Sequence, residues 1–208
     1  MKRTASPETV RPCCRKTMEW LDVVDENGIP VGETVSRDEA HEKGVPHRTS
    51  HVWILRMKNG RLQILLQNRS DEKDSFPGCY DISSAGHIPA GEEYIPSAIR
   101  ELEEELGVQC RPEDLVYCGM RRIRFDREFH GKMFHDRQVT KIFLLWLDRQ
   151  EGEFVLQKEE ISAVKWFDFE ECLAAVRGNT IPHCIYEEEL KMVGDRANII
   201  KEDTINGF

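Results

Sequence analysis

One stretch constrains the fold of this chain more than any other: residues 86–108, which read GHIPAGEEYIPSAIRELEEELGV. The glycines and prolines of its first half predict a loop. Its second half, from Ser97 to Leu106, predicts a helix that ends at Gly107, because glycine adopts the left-handed conformation found just past many helices. At about 100° per residue, one face of this helix is apolar and is expected to face the core. The residues of that face are Ile95, Ile99, Leu102 and Leu106.

The same helix carries three glutamates, Glu101, Glu104 and Glu105, on a different side from its apolar face. Carboxylates three and four positions apart repel each other by a few tenths of a kcal/mol per pair on an exposed helix. Taken alone, they indicate a solvated acidic face. The residues around them favour a different interpretation.

These surrounding residues complete a longer motif. The pattern G-x5-E-x7-R-E-U-x-E-E-x-G-U, in which U is apolar, is matched at all nine specified positions: Gly86, Glu92, Arg100, Glu101, Leu102, Glu104, Glu105, Gly107 and Val108. An accidental match of this length is negligible at average residue usage. The stretch therefore resembles the complete signature of the Nudix hydrolases. The resemblance implies their α/β fold, an α/β/α sandwich built on a mixed β-sheet.

The resemblance also implies a reaction, the metal-dependent hydrolysis of a diphosphate linkage in a nucleoside-diphosphate-type or related metabolite. Mg2+ and Mn2+ prefer carboxylate oxygens, and such ions neutralise phosphate oxygens and lower the pKa of a bound water. By resemblance, the metal ligands are Glu101, Glu104, Glu105 and the carbonyl of Gly86. Glu104 or Glu105 is also expected to act as the catalytic base. Arg100 and Glu92 are expected to form a supporting ion pair between loop and helix.

A further glutamate lies outside this motif. Glu160 stands directly before the predicted strand ISAVKWF, in a region where Nudix relatives often have a glutamate that joins the metal site or acts as a base. The resemblance therefore makes Glu160 a catalytic candidate. Its place in a Glu-Glu pair is equally typical of a surface residue.

The segment before the motif narrows the resemblance. Both LLQNRSDEKDSFPGCYDIS and KGVPHR resemble the isopentenyl-diphosphate isomerases, an offshoot of the Nudix family. The diphosphate-binding residues of that branch match Arg69 and Lys73, which on the alternative reading are solvated surface charges. The isomerases' catalytic cysteine is replaced by Ala85, and Gln138 is the best match to their catalytic glutamate. Because alanine cannot transfer a proton to a double bond, the chain resembles the isomerase-like Nudix hydrolases.

Two rival functions stay open at this point. One is an isopentenyl-diphosphate isomerase, which Ala85 disfavours. The other is a non-catalytic Nudix domain that binds a nucleotide, which the retention of every carboxylate in the motif disfavours. Conversion of isopentenyl diphosphate to dimethylallyl diphosphate would identify an isomerase. Binding of a nucleotide without cleavage would identify a non-catalytic domain.

Three histidines resemble in part the histidine-containing metal site of the isomerases. His47 and His87 match by local context, whereas His41 matches poorly by spacing. Asp136 is the only partial substitute for the isomerases' carboxylate ligands. The sequence therefore leaves open whether these histidines form a second metal site or hydrogen-bond within loops.

The overall composition limits the partners of the chain. A formal net charge of -9 over 208 residues argues against a stable nucleic-acid partner, because phosphate backbones bind basic surfaces. Seven cysteines without a CxxC pair indicate neither a disulfide framework nor a zinc site and favour a cytoplasmic location. No apolar run approaches the roughly 20 residues of a membrane helix. The expected partner is a small-molecule diphosphate, and a homodimer is common among relatives.

We expect one Nudix domain over residues 18–180, preceded by a flexible tail at 1–17 and followed by a C-terminal helix and tail at 181–208. Strands are expected to dominate this domain, with a few helices between them. Three local predictions are more specific. A charged segment from Asp126 to Gln138 is expected to separate two strands. Phe154–Gln157 is expected to be a short strand, and the last helix to lie around Tyr186–Met192.

Overall fold

The structure, a computed structural model, describes residues 18–73 and 75–206 of the chain. The tail predicted for residues 1–17 lies outside the described residues. The described part begins with an antiparallel strand pair and a short helix: β1 (Trp20–Val24), β2 (Pro30–Ser36) and α1 (Arg37–Lys43). The Ser36 hydroxyl accepts a hydrogen bond from the Glu39 amide and caps α1, which ends at Gly44 in the left-handed conformation.

Within the described residues, a seven-stranded mixed sheet forms the centre of the molecule. Its central path runs β5-β4-β3-β8-β7, while β6 pairs with β3 and β9 pairs with β4. Strands β3 and β8 are parallel, and the other paired strands are antiparallel. The strands are β3 (His47–Lys58), β4 (Arg61–Arg69), β5 (Tyr80–Asp81), β6 (Ser84–His87), β7 (Leu115–Phe129), β8 (Lys132–Trp146) and β9 (Ile161–Asp168).

The β7–β8 hairpin differs from the prediction. The charged segment expected to separate two strands continues both of them, and the ladder reaches Phe129 opposite Lys132. Strand β3 pairs with β8 only from Gln138 onward. Residues 124–137, called the arm below, therefore form a two-stranded extension beyond the sheet. Charged residues do not prevent this pairing, because most of them are exposed on a ribbon that extends beyond the sheet.

Helix α2 (Tyr94–Leu106) lies on one face of the sheet. Leu102 and Leu106 are fully buried, and Ile95 and Ile99 pack against the same core, which confirms the predicted apolar face. The helix begins before the predicted Ser97, because a proline such as Pro96 is tolerated in a first turn, where the amide needs no intrahelical partner.

Helices α3 (Phe169–Gly178) and α4 (Glu187–Asn206) cover the opposite face. Leu190, Val193 and Ala197 of α4 are fully buried in a core shared with strand residues. Helix α4 extends well past the predicted Met192, because its apolar residues continue to contact the sheet. The α/β/α sandwich is thereby confirmed, while the boundary predicted between residues 180 and 181 stays a prediction. Among the described residues, no helix combines the length and apolarity needed to cross a bilayer.

The strand predicted for Phe154–Gln157 is wrong. A short 3-10 turn at Glu151–Glu153 leads into an irregular segment there. The amide of Val155 donates to the carbonyl of Leu106, and the amide of Gln157 donates to the carbonyl of Glu105. These amides satisfy the last carbonyls of α2 instead of joining a ladder. Phe154 still reaches the core, which explains the apolar pattern that suggested a strand.

Candidate active site

The backbone of β6 lies against the glutamate-bearing side of α2. A Cβ atom placed on Gly86 would lie 2.3 Å from the carboxyl carbon of Glu101 and 2.6 Å from its Oε1. Only glycine permits this approach. The structure therefore brings together the loop glycine and the first glutamate of the motif.

Glu105 lies one helical turn further along and is only 6% exposed. The amide of Ala85 donates to its Oε2 over 3.3 Å. Burial raises the pKa of Glu105 to about 8, and burial also raises the pKa of Glu101 to about 7 although Arg100 opposes the shift. Two neighbouring carboxylates with raised pKa values, one buried and one partly buried, suit a divalent cation, because its charge would favour the ionised form of both.

The third glutamate of the motif is more exposed. Arg100 forms ion pairs with Glu101 at 2.9 Å and with Glu104 at 3.0 Å. The predicted ion pair between Arg100 and Glu92 is not among the contacts of the described residues. The carboxylate of Glu92 instead accepts a hydrogen bond from the Ser97 hydroxyl over 3.2 Å. Although burial lowers the pKa of Arg100, the nearby glutamates, Glu92 included, raise it above its usual value.

Glu160 reaches this site through Lys73, with which it forms an ion pair. The Glu160 carbonyl also accepts a hydrogen bond of 2.9 Å from the Ser70 amide, which ties the loop after β4 to the start of β9. Burial acts against the ionised carboxylate of Glu160, but the Lys73 ammonium outweighs it and lowers the pKa of Glu160. Lys73 also opposes, in part, the burial that raises the pKa of Glu105, so its ammonium acts on both carboxylates.

Arg69 has a different environment from that of Lys73. Its Nε and Nη2 atoms donate to the Ser75 carbonyl oxygen over 3.1 and 2.9 Å. Its Nη1 donates to Asp81 over 2.9 Å. In the structure Arg69 therefore holds the loop that carries Lys73, and its predicted contact with a diphosphate stays a prediction.

A histidine cluster lies next to the carboxylates, where α1, β3 and β6 meet. The nitrogen atoms of His41, His47 and His87 lie within 4.8 Å of one another. From β8, Oδ1 of Asp136 comes within 3.8 Å of Nε2 of His41 and 3.9 Å of Nε2 of His47. His87 directly follows Gly86, so the cluster adjoins the carboxylate site.

The protonation states in this cluster suit metal binding. Nδ1 of His41 donates to the Arg37 carbonyl and Nδ1 of His47 to the Val45 carbonyl, each over 2.9 Å, which leaves Nε2 with a free lone pair. Burial lowers the pKa of His41 to about 3 and lowers the pKa values of His47 and His87. Three buried atoms lack a hydrogen-bond partner among the described residues: His47 Nε2, His87 Nε2 and Asp136 Oδ1.

The sequence interpretation missed the arm that borders the site. Four aromatic rings from the arm and from the loop after β4 form one cluster: Phe76, Phe125, Phe129 and Phe134. The available signal was the alternation of Ile123, Phe125 and Phe129 with charged residues, which is typical of a strand with one apolar face. The many charged residues of the segment favoured a loop over a strand in the sequence interpretation.

The fold and the carboxylates define a mixed-sheet sandwich with an acidic helix at its site, and the comparisons with known proteins agree. Residues 46–185 match the model of the NUDIX domain. The chain is 44% identical over 158 residues to Nudix hydrolase 3 of Arabidopsis thaliana, covering 74% of this chain but only 20% of that longer protein. It is 34% identical over 153 residues to an uncharacterized Nudix hydrolase of Clostridium acetobutylicum, covering 74% and 71% of the two chains.

A solved structure supports the fold. The crystal structure of a Deinococcus radiodurans protein aligns with a TM-score of 0.60 and 21% identity, covering 83% of this chain and 98% of that one. The family match, the sequence identity and the shared fold together show that this chain belongs to the Nudix hydrolase family.

Proposed function

We propose that this chain hydrolyses a diphosphate linkage in a nucleoside-diphosphate-type or related metabolite, with Mg2+ or Mn2+ as its cofactor. The observation that carries the proposal is the contact of Gly86 with Glu101 beside the buried Glu105. Keeping the buried Glu105 and the partly buried Glu101 ionised side by side is costly without a cation to compensate their charge. Membership of the Nudix hydrolase family supports the same reaction class.

Glu101, Glu105 and the carbonyl of Gly86 are the groups placed to hold the ion. A bound divalent ion supplies charge neutralisation on the phosphate oxygens and a lower pKa for the attacking water. Glu104, which is exposed and paired with Arg100, can complete the ligand set by rotating away from that arginine. Arg100 then keeps Glu101 in place through their remaining ion pair.

We assign the proton-accepting role to Glu160. Its pKa is lowered by Lys73, so its carboxylate is ionised at neutral pH. The Lys73 ammonium is attracted more strongly to a diphosphate than to a single carboxylate such as that of Glu160. When Lys73 turns to the substrate, Glu160 loses its partner, its pKa rises and it becomes a better base. Substrate binding to Lys73 is thereby coupled to proton transfer to Glu160. Glu104 and Glu105 remain the alternative bases.

The isomerase alternative requires groups that this site lacks. Ala85 lies on β6 opposite His51, and its methyl group carries no transferable proton. Gln138 donates its side-chain amide to Asp136 over 2.9 Å and offers no carboxylate. Incubation with isopentenyl diphosphate is therefore expected to give no dimethylallyl diphosphate. Formation of that product would overturn the proposal, as would nucleotide binding without any cleavage.

We also propose that the histidine cluster binds a second metal ion. Neutral imidazole nitrogens with one carboxylate suit Mn2+, Co2+ or Zn2+ more than Mg2+. The support is that unpartnered buried atoms of His47, His87 and Asp136 converge on one place, where an ion would satisfy all three. Homodimer formation and a cytoplasmic location stay predictions as well.

The test is a metal-supplemented screen of nucleoside diphosphate derivatives, coenzyme A, dinucleoside polyphosphates and prenyl diphosphates, scored by which phosphate bond breaks. Glu101→Gln and Glu105→Gln are expected to lower kcat/KM by about 100-fold or more, as loss of metal-binding or charge-stabilising groups does. Glu103→Gln is the matched control, because Glu103 is an exposed glutamate of the same helix that contacts Gln109. Equal activity in all three variants would refute the site.

A further inference from the structure

The inner face of the arm points toward the site. Residues directly opposite each other in an antiparallel ladder share a face. Asp136, which approaches the histidine cluster, is opposite Phe125, so this pair marks the inner face. Alternation then places Arg127, Phe129 and Phe134 on the same face. The inner face thus combines three aromatic rings with the charged side chains of Arg127, Lys132 and Asp136.

Phe76, from the loop after β4, covers this inner face. Its ring centroid lies 5.2 Å from that of Phe129 and 6.2 Å from that of Phe125, both edge to face. All these rings are partly exposed. The backbone of Phe76 has a φ of 50°, a left-handed conformation that is unfavourable for a bulky side chain. The surrounding contacts therefore hold Phe76 in a conformation that it would not adopt on its own.

Arg127 has an unusual environment for a surface cation. Its guanidinium carbon lies 5.0 Å from the ring centroid of Phe76 and 6.0 Å from that of Phe129. Among the described residues, no carboxylate lies within ion-pair distance of it. On the outer face, by contrast, Arg137 pairs with Asp126 at 2.6 Å. Arg127 is thus a cation held on aromatic faces, where a planar ligand could stack against it.

This aromatic surface adjoins the proposed reaction site on both sides. The ring of Phe134 stacks on His41 with centroids 4.3 Å apart, and His41 is 5.3 Å from His87, the neighbour of Gly86. On the other side, Lys73 shares a loop with Phe76 and pairs with Glu160. A substrate whose diphosphate lies at the carboxylates can therefore extend its remaining part onto the arm.

We propose that Phe76, Phe129 and Arg127 form the subsite for a nucleobase of the substrate, which stacks on the exposed part of these side chains. This inference rests on the proposed function and narrows its substrate class to nucleoside diphosphate derivatives. Flat rings stack on aromatic side chains regardless of base identity, and a guanidinium adds to the stack. A branched prenyl chain would fill the same space but would offer the Arg127 guanidinium no flat ring to stack on.

The test compares four nucleotides with a sugar phosphate that lacks the base. Binding of adenosine, guanosine, cytidine and uridine 5′-monophosphates is measured against ribose 5-phosphate by calorimetry in Mg2+. The wild-type protein is expected to bind at least one nucleotide about tenfold more tightly than ribose 5-phosphate, the range of one base stack. Phe129→Leu, which keeps apolar volume but removes the ring, and Arg127→Gln are each expected to reduce this ratio to about threefold or less. Arg124→Gln, on the outer face, is expected to leave it unchanged.

The inference is overturned if the wild-type protein shows no preference for any nucleotide, or if both variants keep the wild-type ratio. Tighter binding of isopentenyl phosphate than of every nucleotide would also overturn it. Circular dichroism checks that each variant is folded. If Phe129→Leu does not fold, the binding ratio of Arg127→Gln alone tests the subsite. Hydrolysis is measured separately in the metal-supplemented screen. Cleavage without a preference for a nucleobase would refute the nucleobase subsite but not the proposed hydrolysis. Base preference without cleavage refutes the proposed reaction alone.

Discussion

Nδ1 of His51 on β3 donates a hydrogen bond of 2.7 Å to Oε1 of Glu189 on α4, and both side chains are buried. Trp53 and Arg121 also donate to this carboxylate, over 2.9 and 3.2 Å. The glutamate is thereby satisfied inside the protein, and α4 is fixed over the sheet. A buried charge that loses its partner is strongly destabilising, so this pair offers a direct test of the packing.

The first prediction concerns this pair. Burial lowers the pKa of His51, but Glu189 outweighs burial and raises it above 6.5, while His51 lowers the pKa of Glu189 below 4.5 despite burial. The stability from the His51 charge is fully present below pH 6.5 and is lost as pH rises through the raised pKa. The part from Glu189 is present above pH 4.5 and is lost as pH falls through the lowered pKa.

His51→Gln is therefore expected to lower the free energy of unfolding by about 3 kcal/mol near pH 5.5 and by less at alkaline pH. Urea unfolding at several pH values measures the difference. His135→Gln is the control, because its pair with Asp126 is on the surface, where solvent and salt screen it. A cost for His51→Gln that did not change with pH would show that the pair is not ionic.

The second prediction concerns the glycine beside the first glutamate. In Gly86→Ala the new methyl group displaces the Glu101 carboxylate, so we expect kcat/KM to fall by about tenfold or more and the Mg2+ concentration for half-maximal activity to rise. Gly152→Ala is the control, since a Cβ there meets nothing within 4 Å. Unchanged Mg2+ dependence in Gly86→Ala would place the metal elsewhere.

A third prediction follows from the raised pKa of Glu105. Without a divalent ion, the folded protein holds a proton on Glu105 up to about pH 8, whereas the unfolded chain releases it near pH 4.5. The stability of the wild-type protein must therefore fall as pH rises between these values. Each unit of pKa shift corresponds to about 1.4 kcal/mol, so Glu105→Gln is expected to be more stable at pH 8 by up to about 5 kcal/mol.

Thermal unfolding in a chelator measures this difference, which should vanish near pH 4.5. The same variant should have lost almost all hydrolytic activity, so stability and activity change in opposite directions. If Glu105→Gln were less stable than the wild-type protein at pH 8, the glutamate would be ionised and well compensated in the metal-free state.

The fourth prediction concerns the histidine cluster. After loading with Mn2+ and removal of excess metal, the wild-type protein is expected to hold metal at both sites. His47→Gln and Asp136→Asn should each lose the ion of the histidine cluster and keep that of the carboxylate site. Glu105→Gln should show the reverse. Elemental analysis gives the stoichiometry independently of activity, and an equal metal content in all variants would refute the second site.

Much of the fold and half of the site could be predicted from local patterns. The apolar face of α2 and the mixed sheet follow from periodicity and from the Nudix motif, and the motif names the glycine and the glutamate that meet, Gly86 and Glu101. The ion-pair partner of Arg100 could not be predicted, because the sequence alone does not distinguish Glu92 from Glu104 as the carboxylate that contacts it. Only the three-dimensional packing turned Glu92 toward Ser97.

The sequence by itself determined the chemistry of the acidic helix, because the spacing of Glu101, Glu104 and Glu105 is a property of any helix with these residues. Tertiary structure alone decided what surrounds it. Buried contacts between distant segments raise the pKa of Glu105, bring Asp136 to the histidines and set Phe76 against the arm. Such contacts depend on where strands far apart in the chain end and cross, and no local pattern encodes that.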